Sequence, residues 1–342
     1  MGREIPQHRS SRRDQAVVVE LTAVVVAVTA GEPRVMVIPS RTEAMAGRGP
    51  SSVSGRFDAL PSGPLQLHHY TLDAGLRAWV EAQTRLQLGY VEQLYTFGDR
   101  GRAVDASRAG HRVLSIGYLA LVREAGGAGL DQAAWQDWYR YFPWEDWRNG
   151  RPAILDRFER PLKRWASPAV AKSDANARKA RLATTFGLFG AGWSDEHALD
   201  RYELLYEVSL VPEARRGGTA AAAGAASALA EAQPMAADHR RILATAISRL
   251  RGKIKYRPVV FELMPPTFTL LQLQRTVEAL AGVRLHKQNF RRLVAQQGLV
   301  EETGRIIAET GGRPAREVRF RPEVALERLA PGTRLPLARS SG

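Results

Sequence analysis

TLLQLQRTVEALAGVRLHKQNFRRLVAQQGLVEETGRIIAETGGRPAREVRF, residues 269–320, holds two helix-length segments, a glycine break and a basic ribbon. Thr269-Leu270-Leu271-Gln272 is a Thr-x-x-Gln capping box, in which the two side chains satisfy amides at a helix start. Leu273, Val277 and Leu280 repeat at helical spacing, and Gly282 stands where a left-handed C-cap ends a helix. A second helix of about 12 residues, near the usual mean, is expected from His286 to Gln297. Phe290, Leu293 and Val294 would face inward, with Lys287, Gln288, Arg291 and Arg292 left on the other side. After Gly298, Leu299–Glu302 reads as a strand, Gly311–Pro314 as a tip and Arg316–Arg321 as the returning strand. That order is a winged helix-turn-helix. Arg and Lys reach phosphates or guanine edges and Gln or Asn pairs with adenine. Double-stranded DNA is therefore the expected partner, with the charged outer face of an ordinary solvated helix as the alternative reading of the second helix. Candidate contacts are Thr269, Lys287, Gln288, Asn289, Arg291, Arg292, Arg313 at the tip and Arg316 beside it.

Charge is distributed unevenly around this stretch. Residues 234–342 carry 20 Lys and Arg against 9 Asp and Glu, a net +11 of the chain's +14. Such asymmetry favours an acidic polymer as partner of that end. With no cysteine, disulfides, thiolate metal sites and Cys nucleophiles are excluded together. Ala16 to Val28 is the most apolar early run, but Glu20 and Thr22 interrupt it, and no segment reaches the roughly 20 apolar residues of a membrane span. A soluble cytoplasmic protein is expected. At 342 residues the chain is long enough for about two domains.

Upstream, residues 1–14 are polar and basic and read as a disordered arm. Leu21–Val28 and Arg34–Pro39 read as strands of a hairpin turning at Ala30-Gly31, and 47–64 as a loop-rich connection. Thr71 to Leu86 is helical, and Val91–Phe97 and Val113–Val122 return to strand composition. This succession implies a layered α+β unit. Trp135, Trp138, Tyr139 and Phe142 fall at i, i+3, i+4 and i+7, which predicts a helix ended by Pro143. One-sided spacing points to core or dimer packing, with a base-stacking surface as the alternative. A helix capped by Ser194 is expected over 195–210, followed by an Ala/Gly-rich loop within about 211–233. Asp238 would cap a further helix with Ile242, Leu243, Ala246, Ile247 and Leu250 on one stripe and His239 in a structural role. Its end carries Arg249, Arg251, Lys253, Lys255 and Arg257, read either as a DNA-backbone contact or as complement to the helix C-terminus.

Leu72–Asp99, LDAGLRAWVEAQTRLQLGYVEQLYTFGD, resembles the helix-and-strand region of Nudix domains. Residues 238–265 are similar to the joint between Nudix and winged-helix domains in Nudix-related transcriptional regulators of NAD biosynthesis, and 268–315 continue that similarity. The resemblance implies a Nudix-like α/β/α sandwich at 15–256 with an inserted aromatic and helical region, a winged helix-turn-helix at 257–330, and a tail at 331–342. It also implies a homodimeric repressor of NAD biosynthesis or salvage genes. Its effector would be ADP-ribose, NAD or another adenine nucleotide, with no cofactor required.

Nudix hydrolysis needs several carboxylates on one helix to hold Mg²⁺. Aligning Gln83-Thr84-Arg85-Leu86 with the family's Glu-Thr-Gly-Leu run puts Trp79, Ala82 and Gln83 at the three glutamate positions. Sliding by one residue recovers only Glu81. No catalytic or metal-ligating set is therefore expected, and Arg41, Glu81 and Arg85 stand as nucleotide-binding candidates. The alternative is an active pyrophosphatase whose atypical metal site brings Glu81, Glu92 and Asp99 or Asp105 together.

Overall fold

A computed structural model of the chain describes residues 17–40, 57–99, 112–123, 133–167, 172–216, 232–307, 314–321 and 323. The strands are β1 (Val17–Thr29), β2 (Glu32–Ser40), β3 (Phe57–Ala59), β4 (Ser62–Pro64), β5 (Tyr90–Phe97), β6 (Arg112–Leu121), β7 (Ala134–Asp137), β8 (Thr267–Thr269), β9 (Val300–Ile307) and β10 (Ala315–Phe320). The helices are α1 (Leu72–Thr84), α2 (Ile154–Trp165), α3 (Lys172–Phe186), α4 (Ala198–Glu207), α5 (Glu213–Arg216), α6 (His239–Lys253), α7 (Leu270–Ala281) and α8 (Lys287–Gln297).

β1 organises the first layer. It pairs antiparallel with β2 through the expected turn and parallel with β6 from Val17–Arg112 to Val26–Leu121. The sheet order is β3-β2-β1-β6-β5, with β4 on β1 and β7 on β2. Leu21, Ala23, Val25 and Ala27 pack with Leu76 and Val80 of α1. Val24 and Val26 belong to the other core, with Ile242, Ile247 and Leu250 of α6. Alternate residues of one strand thus bury opposite faces. That explains why β1 reads as a nearly unbroken apolar run. The result is a sheet with helices on both sides, followed by a winged helix: an α+β fold.

Several expected elements differ. Residues 134–137 are a strand, with Trp135 opposite Met36 of β2, and Trp138–Arg140 form a single 3-10 turn. The aromatic spacing therefore arises from a strand running into a tight turn. Trp138, Tyr141, Phe142, Trp144 and Phe158 are fully buried. Each such ring contributes about 1.5–3 kcal/mol by leaving water, so this stretch is core packing. The expected helix over 195–210 divides into a 3-10 turn, Asp195–His197, and α4, and the Ser194 side chain caps neither. Part of the loop-rich 47–64 region pairs as β3 and β4. In the wing, β9 continues to Ile307, five residues beyond the expected strand end at Glu302. α2 was not anticipated; Pro161 lies inside it.

The second layer is joined to the first through a polar clamp. Tyr139 donates its hydroxyl to Ala279 O (2.7 Å), Arg251 Nε donates to Leu280 O (3.0 Å) and the Trp147 amide donates to Gly282 O (2.7 Å). These are carbonyls at the end of α7, which a free helix would leave to water.

Candidate nucleic-acid interface

The capping box forms as read: Thr269 Oγ1 accepts from the Gln272 amide (3.2 Å), and Gln272 Oε1 accepts from the Thr269 amide (2.7 Å). Thr269 is only 1% exposed. Burial and the capping bonds make it a helix-start residue, which corrects its placement among the DNA contacts. α7 ends at Gly282, whose φ of 74° is left-handed and which a Cβ would drive to 2.4 Å from Glu145 O. Only glycine fits there.

From that turn the chain enters α8. Phe290 and Val294 are buried, Leu293 is half-buried, and Lys287, Gln288, Asn289, Arg291 and Arg292 are all exposed on the other side. Those five side chains share one helix, and none has a hydrogen bond or ion pair among the described residues. The adjoining wing packs through Phe320, stacked on Phe261 with centroids 4.2 Å apart. Arg316 is exposed and hydrogen-bonds Glu302 at 2.7 Å, and Arg319 pairs with Glu301. Arg313 at the tip, Arg41 and Asp105 lie outside the described residues.

The basic end of α6 is different. Arg251 is fully buried and bonded to Glu145, Lys253 pairs with Glu92, and Lys255 holds Asp195 at 2.7 Å and Glu196 at 2.6 Å. Arg251, Lys253 and Lys255 are thus neutralised by carboxylates of this chain, which takes them out of the run read as a possible DNA-backbone contact, while Arg249 and Arg257 are exposed. Burial is the largest influence on Glu92 and pushes its pKa up, but bonds from Lys253 and Tyr90 outweigh it and hold the carboxyl below its ordinary range. His239 is structural, as expected. Its buried Nδ1 accepts from the Leu60 amide at 2.8 Å, and burial lowers its pKa to about 4.

On the opposite face of the sheet, α1 is tied to β4. Trp79 Nε1 donates to Pro64 O at 2.9 Å, and its indole fills the space a Cβ on Gly63 would need. Gln83 Oε1 accepts from the Ser62 amide at 3.0 Å, and Gln83 Nε2 donates to Ser62 O at 2.7 Å. Ala82, Glu81 and Arg85 are exposed, and Arg85 is the left-handed C-cap of α1 at φ 58°. Glu92 and Asp99 are engaged by Lys253 and Arg241 of α6, across the sheet from Glu81. The described members of the atypical metal set therefore do not come together. Among the described residues, no three His, Asp or Glu side chains form a group that could hold a metal ion, and no helix is long and apolar enough to cross a membrane.

Residues 260–320 match the profile of the NrtR DNA-binding winged helix domain. The ADPR responsive transcriptional repressor NtrR of Acinetobacter baylyi is 42% identical over 86 residues, 25% of this chain and 34% of that relative. The matched part thus spans about a third of the relative's length. NrtR of Shewanella oneidensis, solved with a 27mer DNA, has the same overall fold: TM-score 0.50 at 18% identity, covering 90% of this chain and 95% of that one. A second structure of that NrtR gives TM-score 0.50 at 17% identity, with 90% and 95% covered. Residues 260–320 thus match the NrtR DNA-binding winged helix domain, and the chain as a whole, a sheet flanked by helices followed by that winged helix, shares its fold with Shewanella oneidensis NrtR.

Proposed function

We propose that this protein is a DNA-binding transcriptional repressor of NAD biosynthesis or salvage genes, acting as a cytoplasmic homodimer. In this reading residues 15–256 sense a nucleotide, ADP-ribose before NAD or other adenine nucleotides, and residues 257–330 read an operator. The observation that carries it is the outer face of α8: Lys287, Gln288, Asn289, Arg291 and Arg292 are solvent-exposed beside the β9–β10 wing. That is the chemistry for base edges flanked by phosphate contacts. The Acinetobacter relative is named as an ADPR responsive repressor, which supports both the output and the effector class.

We infer further that the sandwich binds without hydrolysing. Arg85 adopts the left-handed conformation that glycine takes without strain, which supports aligning it with the glycine of the Nudix run. In that register Trp79 and Gln83 occupy glutamate positions and are engaged with β4. Arg41, Glu81 and Arg85 remain our candidates for contacting the nucleotide. With Mg²⁺ and ADP-ribose, the expected outcome is no steady turnover; turnover abolished by Glu81→Gln would restore the pyrophosphatase.

Operator binding is tested by anisotropy on the protein's own promoter region against random DNA across salt. A preference of about 10³ or more is expected of a specific reader, and a preference near unity rejects operator recognition. Added ADP-ribose should shift the operator affinity but leave random DNA unchanged.

A further inference from the structure

An open cavity of about 470 Å³ lies between α2 and the 187–193 loop, and none of its lining residues belongs to α1 or α8. Its walls are Trp147, Phe158, Phe186 and Trp193, and Arg151, Asp156 and Glu159 stand among its lining. Trp147 and Trp193 are 4.5 Å apart between ring centroids, and Phe186 is 6.5 Å from Trp193. The size is that of small-molecule sites, which are mostly apolar with a few polar groups fixing orientation.

The lining suggests a class of ligand. Charges at the mouth balance: Arg151 pairs with Asp156 and lies 3.6 Å from Glu159, and Lys163 binds Glu159 at 2.6 Å. A net ionic ligand gains nothing there, whereas a ring edge showing both a donor and an acceptor can use carboxylate and guanidinium together. Aromatic walls favour a planar ring in offset or edge contact.

The cavity is also one bond from the helix-turn-helix. Trp147 forms a wall, and its amide holds Gly282 O at 2.7 Å. The guanidinium of Arg201 lies 3.8 Å from the Trp193 ring and donates to Thr185 O (2.9 Å) and Ser194 O (2.8 Å), flanking the loop. Arg201 also bonds Glu145, which holds the Arg251 that caps Leu280 O.

We propose that this cavity is a second effector site. It takes a neutral heteroaromatic molecule, a pyridine carboxamide or a nucleobase, and its occupancy alters operator affinity through Trp147 and the Glu145–Arg251 clamp. The DNA readout rests on the repressor reading; the binding readout does not.

Calorimetry on the full chain would use nicotinamide and adenine as probes for the two ring sources. One of them should saturate at one molecule per chain with a Kd below about 1 mM. The indole N–H NMR signals of Trp147 and Trp193 should shift in the same titration. Ala191→Trp, at an exposed lining position, should fill the cavity and weaken binding at least about tenfold. The bound probe should change operator affinity at least about fivefold. Absence of saturable binding by either probe up to about 10 mM, or affinity unchanged in Ala191→Trp, overturns the site. Binding that leaves operator affinity unmoved overturns the coupling. Operator preference measured without a probe tests the repressor reading separately.

Discussion

Glu145→Gln is the sharpest perturbation the structure offers. Glu145 and its partners Arg201 and Arg251 have fully buried side chains. Its carboxylate accepts Arg201 Nε at 2.6 Å, Arg201 Nη2 at 2.8 Å and Arg251 Nη1 at 2.5 Å. Glutamine keeps the volume and removes the negative charge that both guanidiniums bind, leaving them neutral acceptors: the amide oxygen, backbone carbonyls and the Tyr139 hydroxyl. Breaking a buried pair in this way costs about 3–5 kcal/mol. Breaking the exposed Arg77–Asp73 pair costs about 0.3–0.5 kcal/mol, so Asp73→Asn is the internal control. Burial, the largest single influence, pushes the Glu145 pKa up, but Arg201 and Arg251 together overcome it and hold the carboxyl below its ordinary 4.5. A carboxyl lowered by folding stabilises the protein fully above its unfolded pKa, and that contribution is lost as pH falls through the folded value. Wild type should therefore lose stability below about pH 4.5 on this account, and Glu145→Gln should lack that component. Denaturant unfolding followed by tryptophan fluorescence, repeated across pH, reads both quantities. A loss under about 1 kcal/mol, no larger than a surface pair gives, would refute the claim that this triad carries the joint.

Other positions give further expectations. His239→Gln keeps an acceptor for the Leu60 amide but removes a group whose pKa is lowered to about 4. A lowered His binds fewer protons in the folded state, so wild type should lose about 2 kcal/mol between pH 7 and 5, and the variant should not. Gly282→Ala places a Cβ 2.4 Å from Glu145 O at positive φ; it should destabilise by about 1–3 kcal/mol and weaken DNA binding through the turn before α8. Arg291→Ala should weaken the operator by about 1–3 kcal/mol and relax base choice, whereas Arg313→Ala should weaken operator and random DNA alike. Equal losses on both DNAs for both variants would contradict that division.

How much of this was legible beforehand depended on where each residue's partner lies in the chain. The capping box, the Gly282 stop and the outward face of α8 are decided within a few residues, so a short window contains the whole cause. The basic run ending α6 looks the same in a window as an exposed basic patch. Arg251, Lys253 and Lys255 find Glu145, Glu92 and Asp195 at sequence separations of 106, 161 and 60 residues. The surplus of positive charge near the C-terminus therefore overstated the DNA-facing surface, because part of it is an internal framework. Trp135 misled for the same reason: its helical spacing was coincidental, and its pairing with Met36 of β2 lies about a hundred residues back.

The same distance rule bears on how the two halves communicate. The donors to the last carbonyls of α7 come from elsewhere: Tyr139 and Trp147 from the aromatic stretch, Arg251 from α6. The carbonyls they hold belong to Ala279, Leu280 and Gly282, and the exposed basic face of α8 begins five residues after Gly282 at Lys287. A change in the sandwich that moves any of these donors must leave a helix-end carbonyl without its partner or move the helix with it. Leaving a buried carbonyl unpaired costs about 1–3 kcal/mol, the size of a typical coupling free energy. Moving the helix is therefore competitive, and it carries Lys287, Arg291 and Arg292 with it. The aromatic stretch, which packs as core, is in that position also the physical connection between the sandwich and α8.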